Sequence, residues 1–439
     1  MSTFFRRSKF ARWPAPGPTR SFATLAGVLA WAALQSLSLG CTPKPSTVTA
    51  LTPPGIVARE AFAGAILCDP ENHDVLLSWI AGDSTRMRVW FSRSADKGTT
   101  WSVPAVVSPA GERLRLEPES SPQMVCDNEH RVGIAWSTWT PATMRNPGLS
   151  ELRFAYSYDF GRSWSAPVTV NKDNAGNHGS GSLHDIALHP KGKLFASWLG
   201  RRPDADDAES SPVDSAGASV WFARSDDFGA HWGPNVVEWT RACPNSRVCL
   251  LGDPAGSLFA AFRKDYPGQI HDAVLARIGG PPVRVHEDGW RVARCPPASP
   301  AMRLSRDGTL RLAWYTGAVG LAGVWFRQSV PELMDSASAP IPVLVGQQLP
   351  IVHVGVGEAG MSGTLIACDA DSTGANQLTL VRVESSGQRV IERFVMPGTQ
   401  GASYPSVATE RASSVAYLAW TSRSGGHSAL RLARWNAGR

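Results

Sequence analysis

The chain has 439 residues, of which 43% are hydrophobic and 18% charged, with 41 Gly, 33 Pro and 17 Trp. That is too apolar and too weakly charged for a disordered chain, and no apolar run after residue 40 is long enough to span a bilayer as a helix. The formal charge is +6, but residues 1–40 hold Arg6, Arg7, Lys9, Arg12 and Arg20 with no acidic residue, so the remainder is almost neutral and carries no nucleic-acid footprint.

The basic start runs into an apolar stretch from Ser21 to Gly40, followed by Cys41. A positive segment, an apolar segment and a small residue before a cut are the parts of a secretory signal. Leu37-Ser38-Leu39-Gly40-Cys41 resembles a bacterial lipobox, which implies lipidation at Cys41, an outer-membrane location facing the periplasm or the cell surface, and a membrane contact made through the lipid alone. An ordinary signal peptide or an uncleaved anchor is the alternative. Residues 41–60, with Pro43, Pro45, Pro53 and Pro54, read as a tether leading to a strand. Residues 61–439 read as a single domain. Export implies an oxidising compartment for the six remaining cysteines.

From residue 60 onward one pattern recurs: a short apolar strand, a turn, then a strand ending in a small residue plus an aromatic. The markers are Ser78-Trp79, Ala135-Trp136, Ser197-Trp198, Ala261-Phe262, Ala313-Trp314, Ala367-Cys368 and Ala419-Trp420, spaced 52 to 64 residues apart. Each unit reads as four strands, the first being Gly64–Cys68, Asp74–Ile80, Met87–Arg93 and Ser102–Val107. Four-stranded units repeated radially are the blades of a β-propeller, an all-β fold that leaves only short sheet edges. Seven markers predict seven blades, or six if one unit is miscounted. The last unit is one strand short, and a strand near residues 50–60 would complete it and close the ring.

Three turns repeat inside this pattern: Ser94-x-Asp96-x-Gly98-x-x-Trp101, Ser157-x-Asp159-x-Gly161-x-x-Trp164 and Ser225-x-Asp227-x-Gly229-x-x-Trp232. Each falls between the third and fourth strands of its unit. Ser and Asp cap the turn, Gly permits positive φ, and Trp buries a large apolar surface. These are Asp boxes, or BNR repeats, and the chain resembles the sialidase superfamily from about residue 60 to its end. The resemblance implies a structural role for the boxes, on the face away from any ligand.

A narrower run, Phe262-Arg263, His271-Asp272, His286-Glu287-Asp288-Gly289-Trp290, Cys295-Pro296 and Ala313-Trp314-Tyr315-Thr316-Gly317, is similar to a family of exported bacterial BNR proteins often labelled sialidase-like. That family usually has Arg-Asp where this chain has His271-Asp272.

In such a propeller the second-to-third turns and the connections between blades surround the ligand-binding mouth. Candidates there are Arg201, Arg202, Arg263, Asp265, Tyr266, Asp272, Asp288, Trp290 and Tyr404. Arginines beside aromatics suit a carboxylated sugar, because the guanidinium fork pairs a carboxylate bidentately. Blander readings stand beside these: an Arg263–Asp272 structural ion pair, Trp290 as packing, His184 as a core histidine, and Asp204–Glu209 as a solvated loop. Cys243 and Cys295 each precede Pro at the start of neighbouring blades, so a disulfide between them is plausible. Their spacing matches no usual zinc pattern, so no metal or cofactor is expected.

The resemblance implies, for an authentic sialidase, three arginines on the substrate carboxylate, an Asp acid/base and a Tyr nucleophile activated by Glu, the Tyr exception among glycosidases. Ile56-Val57-Ala58-Arg59-Glu60 does not match the usual first-arginine motif, and neither Tyr266 nor Tyr404 has an assignable Glu partner. The readings that remain are a propeller binding or cleaving carbohydrate at the cell envelope, a noncatalytic protein-interaction propeller, and an exo-α-sialidase. The chain is expected to be a monomer.

Overall fold

In the computed structural model, residues 46–438 are described, apart from 57, 84–85, 118, 142–148, 173–181, 201–216, 306, 330–337, 347–348, 361–362 and 411–412. The first strand, β1 (Thr47–Leu51), is followed by β2 (Glu60–Cys68), β3 (Val75–Gly82), β4 (Arg88–Ser94) and β5 (Ala105–Val106). Next come β6 (Gln123–Cys126), β7 (Val132–Thr140), β8 (Leu149–Ser157) and β9 (Val168–Thr169), then β10 (Ser182–His189), β11 (Lys193–Gly200), β12 (Ala218–Ser225) and β13 (Val236–Ala242). The middle of the chain supplies β14 (Cys249–Gly252), β15 (Leu258–Tyr266), β16 (Ile270–Arg277) and β17 (Val283–Arg284), then β18 (Ala301–Leu304), β19 (Leu310–Thr316), β20 (Gly323–Ser329) and β21 (Ile341–Val345). It ends with β22 (Val354–Glu358), β23 (Thr364–Cys368), β24 (Thr379–Val383) and β25 (Val390–Val395), then β26 (Ala402–Thr409), β27 (Val415–Ser424) and β28 (His427–Asn436). Among the described residues the single helical turn is the 3-10 turn Pro190–Gly192, and no helix is long and apolar enough to cross a membrane.

These strands form five four-stranded antiparallel sheets and one eight-stranded sheet. The large sheet is two four-stranded units joined where Ala242 at the end of β13 pairs with Lys264 of β15. The outermost strand of the last unit is β1, paired with β28 from Thr47↔Asn436 to Leu51↔Leu432. The completing strand therefore starts a little before the span expected from sequence. The first strands of successive units lie beside one another, and β26 lies beside β2. The fold is an all-β propeller.

The marker pairs all lie on second strands and all are buried, from Trp198 and Trp314 at 0% exposure to Trp420 at 6%. Three of these tryptophans face another across the ladder: Trp79↔Trp90, Trp198↔Trp221 and Trp314↔Trp325. Directly opposed aromatics of this kind are strong cross-strand pairs.

The three Asp boxes share one geometry. In each, the Ser hydroxyl donates to the Asp Oδ1 at 2.8 Å and accepts the Gly N–H at 2.7–2.8 Å. The Asp carboxylate then accepts from the backbone and side chain of Thr100, Ser163 or His231. The side-chain and backbone hydrogen bonds of Thr100 are the largest causes that hold the Asp96 pKa down to about 2; those of Ser163 do the same for Asp159. The glycines have φ of 84°, 85° and 89°, and the residues before them, Lys97, Phe160 and Phe228, are also left-handed.

Each turn docks on the preceding blade. A Cβ at Gly161 would collide with the ring of Phe91 on β4, one at Gly229 with Phe154 on β8, and one at Gly98 with Leu51 on β1. Trp164 meets Phe91 edge-on at 5.2 Å, and Trp232 meets Phe154 at 5.4 Å. Arg93 and Arg131 cover the rings of Phe160 and Phe228 at 4.1 and 4.5 Å. The box is thus an inter-blade clasp as well as a capped turn.

Gly111 offers a control: its φ is 87°, yet a Cβ there meets nothing within 4 Å. Gly111→Ala should cost ~1–2 kcal/mol of backbone strain. Gly161→Ala should cost a further ~1–3 kcal/mol for overpacking against Phe91. Equal urea midpoints for the two variants would show that the glycine serves only the turn.

Candidate binding site

The first strands line a central channel with two openings. The opening on the Asp-box side is the larger, about 870 Å³. Its conspicuous carboxylates are committed to their own turns: Asp69 Oδ1 accepts from the N–H groups of Glu71 and Asn72, Asp127 Oδ1 from those of Glu129 and Arg131, and Asp253 Oδ1 from that of Ser257. Such self-capping serves the hairpins.

The opposite side holds a cavity of about 250 Å³ with a different chemistry. Its groups sit on the lead-ins to first strands or on those strands: Glu119 before β6, Arg247 before β14, Ser299 and Arg303 at β18, His353 before β22 and Tyr404 on β26. Tyr404 has φ of 54° at a register shift in β26, which aims its side chain differently from a regular strand residue.

Glu119 reaches across the channel. One carboxylate oxygen, Oε2, accepts from the Arg247 N–H at 3.2 Å and from the Ser299 hydroxyl. The other, Oε1, is buried, has no hydrogen-bond donor among the described residues, and lies 3.6 Å from His353 Nε2. His353 Nδ1 is 2.7 Å from Asp369 Oδ2, which also accepts the Tyr404 N–H at 3.2 Å. The imidazole and the Tyr404 ring lie against each other, centroids 4.0 Å apart. Burial disfavours the His353 imidazolium. The hydrogen bond and charge of Asp369, helped by Glu119, outweigh it, so the net pKa is raised above 6.5. Burial first, then the charges of Glu119 and Asp369, push the Tyr404 phenol up to about 12. Arg247 and Arg303 line the cavity, and their guanidinium groups make no hydrogen bond or ion pair among the described residues.

Of the sequence candidates, Tyr404 is the one brought into this cavity. Arg263 is not. Its side chain is fully buried, donating to the carbonyls of Ala298 (3.0 and 3.2 Å), His271 (2.7 Å) and Tyr315 (2.7 Å), with Trp290 stacked at 4.8 Å. Asp272 accepts the Trp290 N–H at 3.2 Å and lies 3.6 Å from Arg284, so the salt bridge expected with Arg263 goes to Arg284 instead. Asp288 accepts from Trp314 Nε1 at 2.8 Å, and Trp290 is 7% exposed, edge-on to Tyr315. These four residues cement the fourth and fifth blades. Asp265 pairs with Arg241 at 2.7 Å, and Tyr266 lies under Arg284 at 3.9 Å. His184 is a core histidine, bonded to Ser137 and to the Ala135 carbonyl, and burial brings its pKa down to about 4. Cys243 and Cys295 form the disulfide. Arg201, Arg202 and Cys41 lie outside the described residues.

Glu119, Arg247, Ser299, Arg303 and His353 escaped sequence reading. They sit in short lead-ins with no shared spacing, and only ring closure brings positions 119, 247, 299 and 353 together.

No protein-family model matches the chain, and no curated protein matches it. Solved structures do. A protein of unknown function from Dyadobacter fermentans matches with a TM-score of 0.50 at 13% identity, over 90% of this chain and 98% of its own. A lectin from Burkholderia pseudomallei matches with a TM-score of 0.58 at 13% identity, over 87% and 99%. A Trypanosoma rangeli sialidase with the inhibitor DANA aligns with a TM-score of 0.49 at 11% identity, over 89% of this chain and 60% of that one. Identities this low show the fold alone, a β-propeller of the kind the repeated four-strand pattern led us to expect.

Arg263→Ala should destabilise the chain by upward of ~3 kcal/mol, because three buried carbonyls lose their donor; an unchanged denaturation midpoint would contradict the buried geometry. His353 supplies a pH signature. A raised folded pKa contributes stability that is complete below 6.5 and is lost as pH rises through the folded value. The stability gap between wild type and His353→Gln should therefore be widest at mildly acidic pH and shrink above it. A gap constant across that range would refute the Asp369–His353–Glu119 arrangement.

Proposed function

We propose that this chain is a carbohydrate-binding propeller whose ligand is an acidic sugar held in the central cavity. The observation that carries the reading is the convergence of uncommitted groups there. Glu119 Oε1 is a buried acceptor awaiting a hydroxyl donor, and buried polar atoms are rarely left unpaired. Arg247 and Arg303 present guanidinium groups with no hydrogen-bond acceptor among the described residues, suited to a carboxylate. The Tyr404 ring, packed against the His353 imidazole, offers an aromatic surface at the cavity for a sugar ring. The Burkholderia neighbour is a lectin, which accords with this use of the fold.

Binding is favoured over hydrolysis. A tyrosine nucleophile needs a base at its hydroxyl, and no carboxylate among the described residues is hydrogen-bonded to that of Tyr404. Its raised pKa keeps it protonated at neutral pH. In this reading the chain works at the cell envelope, exported on its first 40 residues and tethered through Cys41.

The test uses a soluble form starting at Thr42 on an array of sialylated, uronate-bearing and neutral glycans, followed by calorimetry on the best ligand. Carboxylated glycans should bind, and Arg247→Ala should weaken them ~10–100-fold, the value of a hydrogen bond to a charged group. Equal binding of neutral glycans, or none of any class, would overturn the proposal. Release of 4-methylumbelliferone from its sialic acid conjugate would replace binding with sialidase chemistry.

A further inference from the structure

The Cys243–Cys295 disulfide has an unusual neighbour. His271 Nδ1 lies 3.4 Å from each sulfur. Its other nitrogen, Nε2, is 3.0 Å from the Val292 carbonyl. A carbonyl can only accept, so Nε2 carries the hydrogen, and in the neutral ring Nδ1 is left with its lone pair. That lone pair faces the two sulfurs. Asp265 Oδ1 stands 3.6 Å from the same nitrogen, while its Oδ2 is held by Arg241 at 2.7 Å. All four residues are buried, with Cys243 at 0% exposure and Asp265 the most open at 8%. Electron-rich atoms thus crowd one another without a hydrogen between them.

We propose that these residues form a redox-gated metal site, closed as the disulfide and open to zinc when reduced. Cys243 Sγ, Cys295 Sγ and His271 Nδ1 lie within 4.8 Å of one another, with Asp265 Oδ1 alongside. Two thiolates, an imidazole and a carboxylate are a tetrahedral zinc set, whose bond lengths imply donor separations of roughly 3.4–3.8 Å. The distances from His271 Nδ1 already match. The supports that a metal histidine requires are in place as well: Val292 orients the ring through Nε2, and Arg263 Nη1 fixes the His271 carbonyl at 2.7 Å. Sequence spacing hides the site because its ligands come from the lead-ins to two blades and from one hairpin.

The switch needs a dithiol reductant. One thiolate of the dithiol attacks a cysteine sulfur and forms a mixed disulfide. The second thiolate then closes the reductant's own disulfide, so two electrons pass to the protein and Cys243 and Cys295 are released as thiols. Zinc binding displaces the two thiol protons to solvent.

The experiment takes the purified full-length chain, oxidised or reduced with dithiothreitol and desalted anaerobically, equilibrates it with zinc, and counts bound metal by mass spectrometry after gel filtration. Cobalt serves as a parallel probe, because thiolate ligation produces a charge-transfer band. The oxidised chain should hold no zinc and the reduced chain a single equivalent with the thiolate band. His271→Ala retains the disulfide, so its folding can be checked in the oxidised state. After reduction it should bind zinc at least ~10-fold more weakly, and Cys295→Ser should lose the band. The proposal is overturned if the reduced, folded chain binds no zinc, if the oxidised chain binds it equally, if reduction itself unfolds the chain, or if both variants bind undiminished through Cys41, Cys68, Cys126, Cys249 or Cys368.

Discussion

The structure depends on how one blade seats on the next. At the three Asp boxes a glycine lets a turn settle directly on an aromatic or leucine side chain of the preceding blade, and any Cβ would hold the two apart. The box carboxylate and hydroxyl satisfy the turn internally, so the turn can be pressed against an apolar surface without leaving backbone donors orphaned. Seating of this kind fixes how closely neighbouring blades approach at these three interfaces.

Later interfaces solve the same problem with polar chemistry. Between the fourth and fifth blades Arg263 gathers three carbonyls under Trp290, and the Cys243–Cys295 disulfide ties the adjoining lead-ins. Elsewhere single groups bridge blades, as Asp185 does by accepting the Leu250 N–H at 2.8 Å, and Thr421 by accepting that of Ala63 at 3.1 Å. Burial of such groups is tolerated because each has a partner.

Arg263 and the pair Arg247 and Arg303 differ in what surrounds them. Arg263 has its donors taken up by carbonyls and belongs to the core. Arg247 and Arg303 line the channel, and among the described residues their guanidinium groups have no hydrogen-bond partner. Residue type alone could not separate them, since an arginine suits a buried carbonyl cluster and an anionic ligand alike. The difference is made by what lies around each guanidinium, which for Arg263 includes the Ala298 and Tyr315 carbonyls, 35 and 52 residues away.

The repeat, the strand order within each unit and the position of the Asp boxes could be read from sequence, because each depends on local periodicity; the Cys243–Cys295 pairing was one option among several until the structure brought the two lead-ins together. Trp79, Trp136, Trp198, Trp314 and Trp420 mark second strands wherever they occur, since a buried strand flanked by sheets on both sides needs a large apolar side chain at that depth. The site was legible only at Tyr404. Glu119, Arg247, Ser299, Arg303 and His353 acquire their role from ring closure, which brings together lead-ins that share no spacing or motif. Arg263, Asp272, Asp288 and Trp290 looked like a site for the same reason in reverse. Their chemistry suits a ligand, but packing between blades turns them inward, where carbonyls and indoles take up the bonds that a sugar would have made.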